Sequence, residues 1–431
     1  MGLFDWVRRL LGGDGSGHPP TAPGRSPPRQ PETRRRRPRA RLVPLRAGRA
    51  GATVGRRART PEVPANAPRP YSFARRNPCN GCWLDLSQDQ DDARLDREQL
   101  PRFRTPDELA GWLEILPGRL AWLIHRFDEG QRPADEQAAH YVYRWIAKRT
   151  GGQRLIEAPK PLLKGVQRRI LSEILSRVPL HQAAHGFIRG KSICSNARPH
   201  VGQRVVVKFD LENFYPSVSF GRVVAIFRSL GYSREVAIWL ARLTTAVVPD
   251  DALQPDPGVP EVAPYRGRHL PQGAPTSPAL ANLSAFSLDL RLSGLARSFG
   301  AQYTRYADDL TFSGDQRFLK SLTVFLPLVR QVIRSEGFRL NVRKRKVLRS
   351  SQRQTVTGVV VNARPNVCRR DFDRVKAILT NCVRRGPSTQ NHERHENFAA
   401  HLLGRIAHVS QLNPARGEKL RLLYAQIDWN R

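Results

Sequence analysis

Two adjacent aspartates interrupt a run of strand-forming residues, and this feature most constrains how the chain can fold. Residues 302–306 and 310–313 are rich in aromatic and β-branched residues, which predicts the two strands of a hairpin. Ala307, Asp308 and Asp309 then lie at its tip. Adjacent carboxylates repel each other, so they cost free energy unless a cation binds between them. This segment alone also fits an Asp-rich turn without a ligand.

An upstream segment offers a third carboxylate. Residues 204–210 form a mostly apolar run that ends in Asp210, the pattern of a buried strand that delivers a side chain at its end. If the strands are neighbours in one sheet, Asp210, Asp308 and Asp309 form an oxygen ligand set that suits Mg²⁺, with Mn²⁺ as an alternative. Two such ions activate an attacking hydroxyl and stabilise a departing pyrophosphate. The sequence therefore predicts a two-metal site.

The residues around these acids resemble the motifs of reverse transcriptases. Tyr306–Asp309 (YADD) resembles their YxDD box, and Phe209–Tyr215 (FDLENFY) resembles their first palm motif. Leu270–Pro278 (LPQGAPTSP) is similar to the second palm motif, with the pattern QGxxxSP. Asn196–His200 (NARPH) and Val356–Gly358 (VTG) resemble the NAxxH and VTG signatures of the retron-type branch. The chain therefore resembles a retron-type bacterial reverse transcriptase.

The resemblance covers residues 153–431 and implies an α+β fold, the right-hand polymerase. Such an enzyme has fingers, a palm made of an antiparallel sheet plus helices, and a small helical thumb. We assign residues 151–362 to the fingers and palm and residues 363–431 to the thumb. Residues 71–150 are interpreted as a helical N-terminal extension, in which residues 134–148 are predicted to form the third helix.

Composition bears on the N-terminal region and on the partner. From residue 12 to residue 70 the chain is rich in Arg, Pro and Gly, with few acids and almost no aromatic residues. Such a segment cannot bury enough apolar surface to offset the entropy of ordering, so residues 1–70 are predicted to be a disordered basic arm. The arm either contacts phosphates or is a solvated linker. The net charge of +35 favours a polyanionic partner, and nucleic acid is the first candidate.

Cysteine usage and hydropathy bear on location. The five cysteines are scattered and odd in number, which fits a reducing compartment and hence the cytoplasm. Cys79 and Cys82 have the spacing of half a zinc site, but no second pair follows, so we favour a chance turn over a metal site. No apolar run approaches the roughly 20 residues that cross a membrane. A membrane span is therefore not expected.

The resemblance implies roles for residues around the carboxylates. Arg154 stands where the family holds the phosphates of the incoming nucleotide, and a surface arginine is the structural alternative. Tyr215 stands where an aromatic ring under the sugar excludes a 2′-hydroxyl, and a core aromatic is the alternative. Gln272 can hydrogen-bond the sugar or base. Lys344 occupies the position of a lysine that could donate a proton to pyrophosphate, with Lys346 close enough to take this role instead.

The two retron signatures imply contacts with RNA or primer. These contacts are assigned to Asn196, His200, Val356, Thr357 and Gly358. For His200 a purely structural role is the alternative.

The resemblance also implies a specific reaction. Retron enzymes use deoxynucleoside triphosphates to copy their own structured noncoding RNA (msr–msd) into msDNA, a branched RNA-linked cDNA. They prime from the 2′-hydroxyl of an internal guanosine and act in anti-phage defence. No nuclease domain is visible in the sequence, so host RNase H and any effector would be separate proteins. The alternatives are a group II intron-like reverse transcriptase and a nonenzymatic RNA-binding scaffold on a polymerase fold.

Overall fold

The structure is a computed structural model, and it describes residues 61–124, 140–148, 152–248 and 262–429. Nearly all of the predicted basic arm, residues 1–70, lies outside these ranges. Its last ten residues lie inside them, and Glu62–Val63 form a strand that pairs within the folded unit. The sequence-based boundary of the arm was therefore placed too far along the chain.

A small antiparallel sheet and three helices begin the folded unit. They are β1 (Glu62–Val63), β2 (Arg75–Arg76), β3 (Trp83–Leu84), α1 (Asp92–Arg97), α2 (Pro106–Leu113) and α3 (Pro117–Leu123). Thr105 begins α2, because its side chain accepts a hydrogen bond from the Glu108 N–H. Cys79 and Cys82 lie in the turn between β2 and β3, where the Asn77 N–H donates to the Cys82 carbonyl at 2.8 Å.

The N-terminal helices share their hydrophobic core with the central sheet and the helices packed on it. Leu95, Phe103 and Leu109 are buried in the same cluster as Trp239. The ring of Phe73 lies 5.3 Å from that of Trp239. Residues 71–124 of the predicted extension are thus packed into the same core as the central sheet and its helices.

The helix predicted over residues 134–148 is wrong where the structure describes it. Residues Tyr141–Ala147 form strand β4, which pairs antiparallel with β5 (Gln153–Pro159) from Tyr141 opposite Pro159 to Ala147 opposite Gln153. Residues 134–139 lie outside the described ranges. The aromatic and β-branched residues of 141–146 favour a strand once a partner strand is present, and this pairing overrides the weak helix preference of the segment.

A four-stranded antiparallel sheet forms the centre of the molecule. The next elements are α4 (Pro161–Glu173), α5 (Ile193–Ala197), β6 (Val205–Asp210), α6 (Phe220–Leu230), α7 (Arg234–Thr244), α8 (Ala263–Arg266), α9 (Ser277–Ser284), α10 (Phe286–Ser298), β7 (Gln302–Tyr306), β8 (Asp309–Gly314), α11 (Gln316–Ser335) and β9 (Lys346–Arg349). The strand order is β7-β8-β6-β9. Helix α11 packs on the sheet through Phe325, whose ring lies 5.1 Å from that of Phe312 on β8.

The C-terminal part is a hairpin and three helices with a core of its own. The elements are β10 (Thr355–Val356), β11 (Val359–Val360), α12 (Arg369–Arg385), α13 (Phe398–Leu412) and α14 (Pro414–Ala425). Val356, Leu379 and Ile406 are buried in this core, together with Ala197 of α5 and Val206 of β6. The helices are thereby anchored to the central sheet. No helix within the described ranges is both long and apolar enough to cross a lipid bilayer.

Candidate active site

The three carboxylates lie together at one end of the central sheet. Strands β6 and β8 place Asp210 directly opposite Asp309. Directly opposed residues of an antiparallel pair project from the same face, with Cβ atoms about 4.5–5.5 Å apart. The Leu211 N–H donates to the Asp308 carbonyl at 3.0 Å, which fixes the hairpin tip against the end of β6. Acids almost a hundred positions apart in the sequence are thus neighbours.

The turn that carries Asp308 is held from two sides. Ala307 has a φ of +56°, in the left-handed region that non-glycine residues rarely adopt. Gly186 packs against it so closely that a Cβ at position 186 would lie 2.6 Å from the Ala307 nitrogen. On the other side, Nη1 of Arg305 donates to the Ala307 carbonyl at 3.0 Å.

Arg305 itself is fully buried and paired. Its Nε and Nη2 donate to the two carboxylate oxygens of Asp289 at 2.8 and 2.6 Å, and Nη1 also donates to Oδ1 of Asn282 at 2.9 Å. Burial by itself lowers the pKa of Arg305, but the charge and hydrogen bonds of Asp289 outweigh it and raise that pKa. This residue was not predicted from the sequence, although an arginine in the middle of a hairpin strand is a signal that could have revealed it.

The carboxylates at the tip of the β7–β8 hairpin are in an environment that a bound cation would stabilise. Burial, followed by the charges of Asp309 and Asp210, raises the pKa of Asp308 to about 6. Burial and the charge of Asp210 also raise the pKa of Asp309. Within the described ranges no three His, Cys, Asp or Glu side chains are gathered into a ready-made metal cluster. The case for a metal site therefore rests on the chemistry of the donors. Carboxylate oxygens are the ligands that hard divalent cations take, and a bound cation relieves the repulsion between them.

Lys344 supplies a positive charge at this point. Its Nζ lies 3.1 and 3.2 Å from the two carboxylate oxygens of Asp210. The lysine is half exposed, so the contact is adaptable rather than a locked ion pair. Lys346 lies on β9 opposite Lys208 and is not among the residues that line the cleft described next. Between the two lysines, the geometry favours Lys344 as the one that reaches the reacting groups.

A cleft of about 840 Å³ opens beside the carboxylates. The predicted site residues that line it are Arg154, Asp210, Tyr215, Gln272, Asp308 and Lys344. Asp309 lies next to the cleft through its pairing with Asp210. The cleft also contains Lys148, which the sequence analysis missed. Burial and the charges of Arg154 and Lys344 lower the pKa of Lys148, as expected of cations that converge on one anion-binding space.

The loop that carries Gln272 is fastened to strand β5. The Gln272 N–H donates to Oε2 of Glu157 at 3.1 Å, and the Glu157 N–H donates to the Gln272 carbonyl at 2.9 Å. Glu157 is fully buried, and its Oε2 also lies 3.2 Å from Nε2 of His269. Gly273 has a φ of +141°, and a Cβ there would meet the Glu157 carbonyl at 2.8 Å. This close approach explains the glycine of the QG motif.

The predicted RNA contacts of Asn196 and His200 are not supported by the structure. Both residues are fully buried. The His200 ring bridges the catalytic hairpin, with Nδ1 2.7 Å from the Ser313 hydroxyl and Nε2 2.8 Å from the Thr304 hydroxyl. Burial lowers the pKa of His200 to about 3, so its ring stays neutral. His200 thus connects β7 to β8, which agrees with the structural alternative given for it, and the Asn196 side chain lies against Thr357. Because both side chains are buried, the assigned RNA contact is replaced by a structural role.

The VTG residues form the turn of the β10–β11 hairpin. Thr357 and Gly358 have φ values of +46° and +85°, the pattern of a tight two-residue turn in which a glycine is favoured. Gly358 is exposed, whereas Val356 is fully buried. The predicted RNA contact of Val356 is therefore corrected to a core role. For Thr357 and Gly358 a contact with primer stays a prediction.

Fold and site together define a class of protein. A central antiparallel sheet carries three acids where a strand end meets a hairpin tip, and these acids border a cleft lined with cations and a tyrosine. This is the arrangement of a palm-type nucleic-acid polymerase.

Comparisons with known proteins identify the branch. Residues 146–361 match the family model described as "Reverse transcriptase (RNA-dependent DNA polymerase)". The chain is 42% identical over 333 residues to the retron Mx65 reverse transcriptase of Myxococcus xanthus, which covers 77% of this chain and 73% of the relative. It is 40% identical to the retron Mx162 enzyme of the same organism (76% and 67% covered) and 35% identical to the retron Ec86 enzyme of Escherichia coli (48% and 58% covered).

The chain therefore belongs to the reverse transcriptase family, and within that family to the retron type. It is an RNA-directed DNA polymerase with the α+β right-hand fold. Members of this family act with divalent metal ions, an RNA template and deoxynucleoside triphosphates.

Proposed function

We propose that this enzyme copies a cognate structured noncoding RNA, the msr–msd transcript, into msDNA that stays joined to the RNA through a 2′-hydroxyl of an internal guanosine. The observation that carries the proposal is the cross-strand pair of Asp210 and Asp309 beside Asp308, at a cleft lined with cations. The retron type of the chain supports RNA-primed, branched synthesis over extension of a separate primer.

The acids would hold the metal ions. Asp210, Asp308 and Asp309 supply carboxylate oxygens, and Mg²⁺ suits these donors best, with Mn²⁺ as an alternative. When bound, the two ions lower the pKa of the attacking hydroxyl and stabilise the leaving pyrophosphate. Lys344, whose Nζ lies 3.1 Å from Asp210, would give a proton to the leaving pyrophosphate.

The rest of the cleft would bind the incoming deoxynucleotide. Arg154 and Lys148 provide positive charge for its phosphates. Gln272, on a loop held by Glu157, would hydrogen-bond its sugar or base. Tyr215 would lie under the sugar and exclude a 2′-hydroxyl. Burial and the nearby charge of Asp308 raise the pKa of Tyr215 to about 12, so its phenol stays protonated in this role.

We place the reaction in the cytoplasm and in anti-phage defence. Host RNase H would trim the RNA of the product, and a separate effector protein would respond to infection. The retron type of the chain supports the proposal of both partners.

A co-expression experiment tests the proposed synthesis. The enzyme is produced with the noncoding RNA encoded beside its gene, and total nucleic acid is analysed for DNA whose mobility changes after debranching. We expect msDNA from the wild type and none from the Asp308→Ala/Asp309→Ala double variant. RNA affinity should stay within a few-fold, because the acids repel phosphate rather than bind it. Asp373→Ala, which removes an exposed acid on α12, is the matched control and should make msDNA.

Three results would overturn the proposal. One is msDNA synthesis by the double variant. Another is synthesis that persists when the priming guanosine is replaced by 2′-deoxyguanosine in an RNA assembled from synthetic pieces, because that change removes the attacking hydroxyl. A wild type that binds the RNA but extends no primer with Mg²⁺ would indicate a scaffold rather than an enzyme.

A further inference from the structure

The loop of residues 185–191 is a rigid element at the rim of the cleft. The His185 N–H donates to the Arg305 carbonyl at 2.7 Å, which ties the start of the loop to strand β7. Nζ of Lys191 donates to the carbonyls of Gln182 and Ala184 at 2.6 and 2.7 Å, which closes the other end. These ammonium bonds to backbone oxygens are of the stronger, charge-assisted kind.

The centre of the loop is fixed as well. The Asn282 side chain donates to the Gly186 carbonyl at 2.9 Å, and Asn282 in turn accepts from Arg305. Gly186 also lies in close contact with Ala307 of the catalytic turn. The loop is therefore positioned by the same buried network that positions Asp308.

This rigid loop presents a strained and exposed aromatic side chain. Phe187 has a φ of +60°, a conformation that is a genuine outlier for a bulky residue. Its side chain is 56% exposed, lines the cleft, and lies 6.4 Å from the ring of Tyr306. Packing does not explain this placement, since more than half of the ring faces solvent. Strain that surrounding contacts maintain at a site is typical of a functional constraint.

We infer that Phe187 is a stacking platform for a base of the RNA template, namely the first template nucleotide that is not yet paired. An exposed ring gains stacking energy only from a base whose face is not already covered by a neighbour. Within a duplex both faces of most bases are covered. The first unpaired template base, where single strand meets duplex, has a free face.

Charge and position support the template strand as the occupant. Arg154, Tyr215 and Gln272, which line the same cleft, are already assigned to the incoming nucleotide by the proposed function. Phe187 lies instead beside Tyr306 and the catalytic turn, and the exposed Arg189 follows it on the same loop. An aromatic ring next to a cation is the usual pair for single-stranded nucleic acid, because the ring stacks on the base while the cation meets the phosphate.

A binding cycle with an abasic template tests the inference, which rests on the polymerase activity described above. The full-length enzyme is titrated with an RNA template annealed to a DNA primer, without nucleotides. In one template the first unpaired nucleotide is abasic, and in a second duplex the abasic position is the 3′ end of the primer. Wild type and Phe187→Ala are compared on the intact and on both abasic duplexes, so that the coupling between ring and base is measured directly.

On the intact duplex, Phe187→Ala should weaken binding by about 5- to 150-fold, the range that stacking of one base gives. The abasic template should weaken wild-type binding by a similar factor and leave the binding of Phe187→Ala unchanged. Phe187→Tyr should keep wild-type affinity, whereas Phe187→Leu should lose most of it. Additive losses, or a coupling found only at the primer end, would overturn the inference.

Phe187→Gly separates stacking from structural damage. A glycine relieves the positive φ, so the urea midpoint of unfolding should equal or exceed that of the wild type while template binding falls as in Phe187→Ala. A variant that binds normally would contradict the inference. Because the readout is binding, an enzyme that extends primers but makes no branched DNA would contradict the proposed function and leave this inference standing.

Discussion

Replacing Arg305 with Met should destabilise the protein strongly, because it removes one half of a buried ion pair. Among the side chains within the described ranges, Asp289 would keep only the hydrogen bond from the Tyr303 hydroxyl, at 2.8 Å, and it would remain a buried charge without its cation. Breaking a fully buried pair from one side costs about 3–5 kcal/mol. That is a large share of the roughly 5–15 kcal/mol that holds a typical folded domain together.

A double variant separates this loss of stability from the loss of positioning. In Arg305→Met/Asp289→Asn the buried charge is gone, and the amide can still accept from Tyr303, so more than half of the lost stability should return. The Ala307 carbonyl still lacks its donor, so the catalytic turn loosens. A misplacement of about 1 Å at a reacting group costs about 100-fold in rate. Polymerase activity should therefore stay about 10- to 100-fold below wild type.

Urea unfolding followed by circular dichroism gives the stabilities, and single-turnover primer extension at saturating nucleotide gives the rates. Arg369→Met is the matched control, because it breaks an exposed ion pair with Asp373 and should leave the unfolding curve unchanged. A single variant as stable as wild type would refute the role of the buried pair. A double variant with full activity would refute the role of the contact between Arg305 and Ala307.

Three further predictions concern the tip, the metals and the sugar. A methyl group at Gly186 would lie 2.6 Å from the Ala307 nitrogen, so Gly186→Ala should shift the hairpin tip and lower the extension rate by about 10- to 100-fold. The control Gly165→Ala places its methyl group in open space and should keep the wild-type rate. Equal rates for the two variants would contradict the packing argument. In the metal-free protein the pKa of Asp308, raised from 3.8 to about 6, makes the folded state bind a proton more tightly than the unfolded chain. This stabilisation is complete below about pH 4 and is lost as the pH rises through about 6. Mg²⁺ should therefore raise the urea midpoint of unfolding at pH 7 and have little effect on it at pH 4.5. Equal effects at both pH values would be inconsistent with this reasoning. Tyr215→Val should raise the use of ribonucleotides relative to deoxynucleotides by about tenfold or more in a competitive incorporation assay, whereas Tyr215→Phe should not. Unchanged discrimination in the valine variant would show that the Tyr215 ring does not exclude the 2′-hydroxyl.

The parts of the site that sequence predicts well are those whose signal is local. Strand propensity on both sides of Asp308 and Asp309 predicts the hairpin, and the apolar run before Asp210 predicts the buried strand. The structure has these strands within a residue of the predicted limits. Their pairing also follows, because three acids at strand ends are best accommodated around shared cations.

What sequence could not predict depends on contacts between distant segments. The burial of Arg305 is possible only because Asp289 and Asn282 arrive from two helices that precede its strand. Strand β4 pairs with β5 along its whole length, and the aromatic and β-branched residues of 141–146 favour a strand only once this partner, which follows in the sequence, is recognised. Lys148 gains its place in the cleft from the same pairing.

The two retron signatures show why a motif and a contact are different things. Nδ2 of Asn196 lies 3.5 Å from the Thr357 hydroxyl, and that hydroxyl donates to the Ile193 carbonyl at 3.3 Å, so the NAxxH helix and the VTG turn are held against each other. His200, at the end of the same segment, bridges the two strands of the catalytic hairpin. A continuous set of contacts thus runs from the turn of the β10–β11 hairpin to the strands that carry the acids. The residues of the two motifs therefore hold the C-terminal helices and hairpin against strands β7 and β8, and the contacts with RNA that we propose fall to exposed residues such as Gly358 and Phe187.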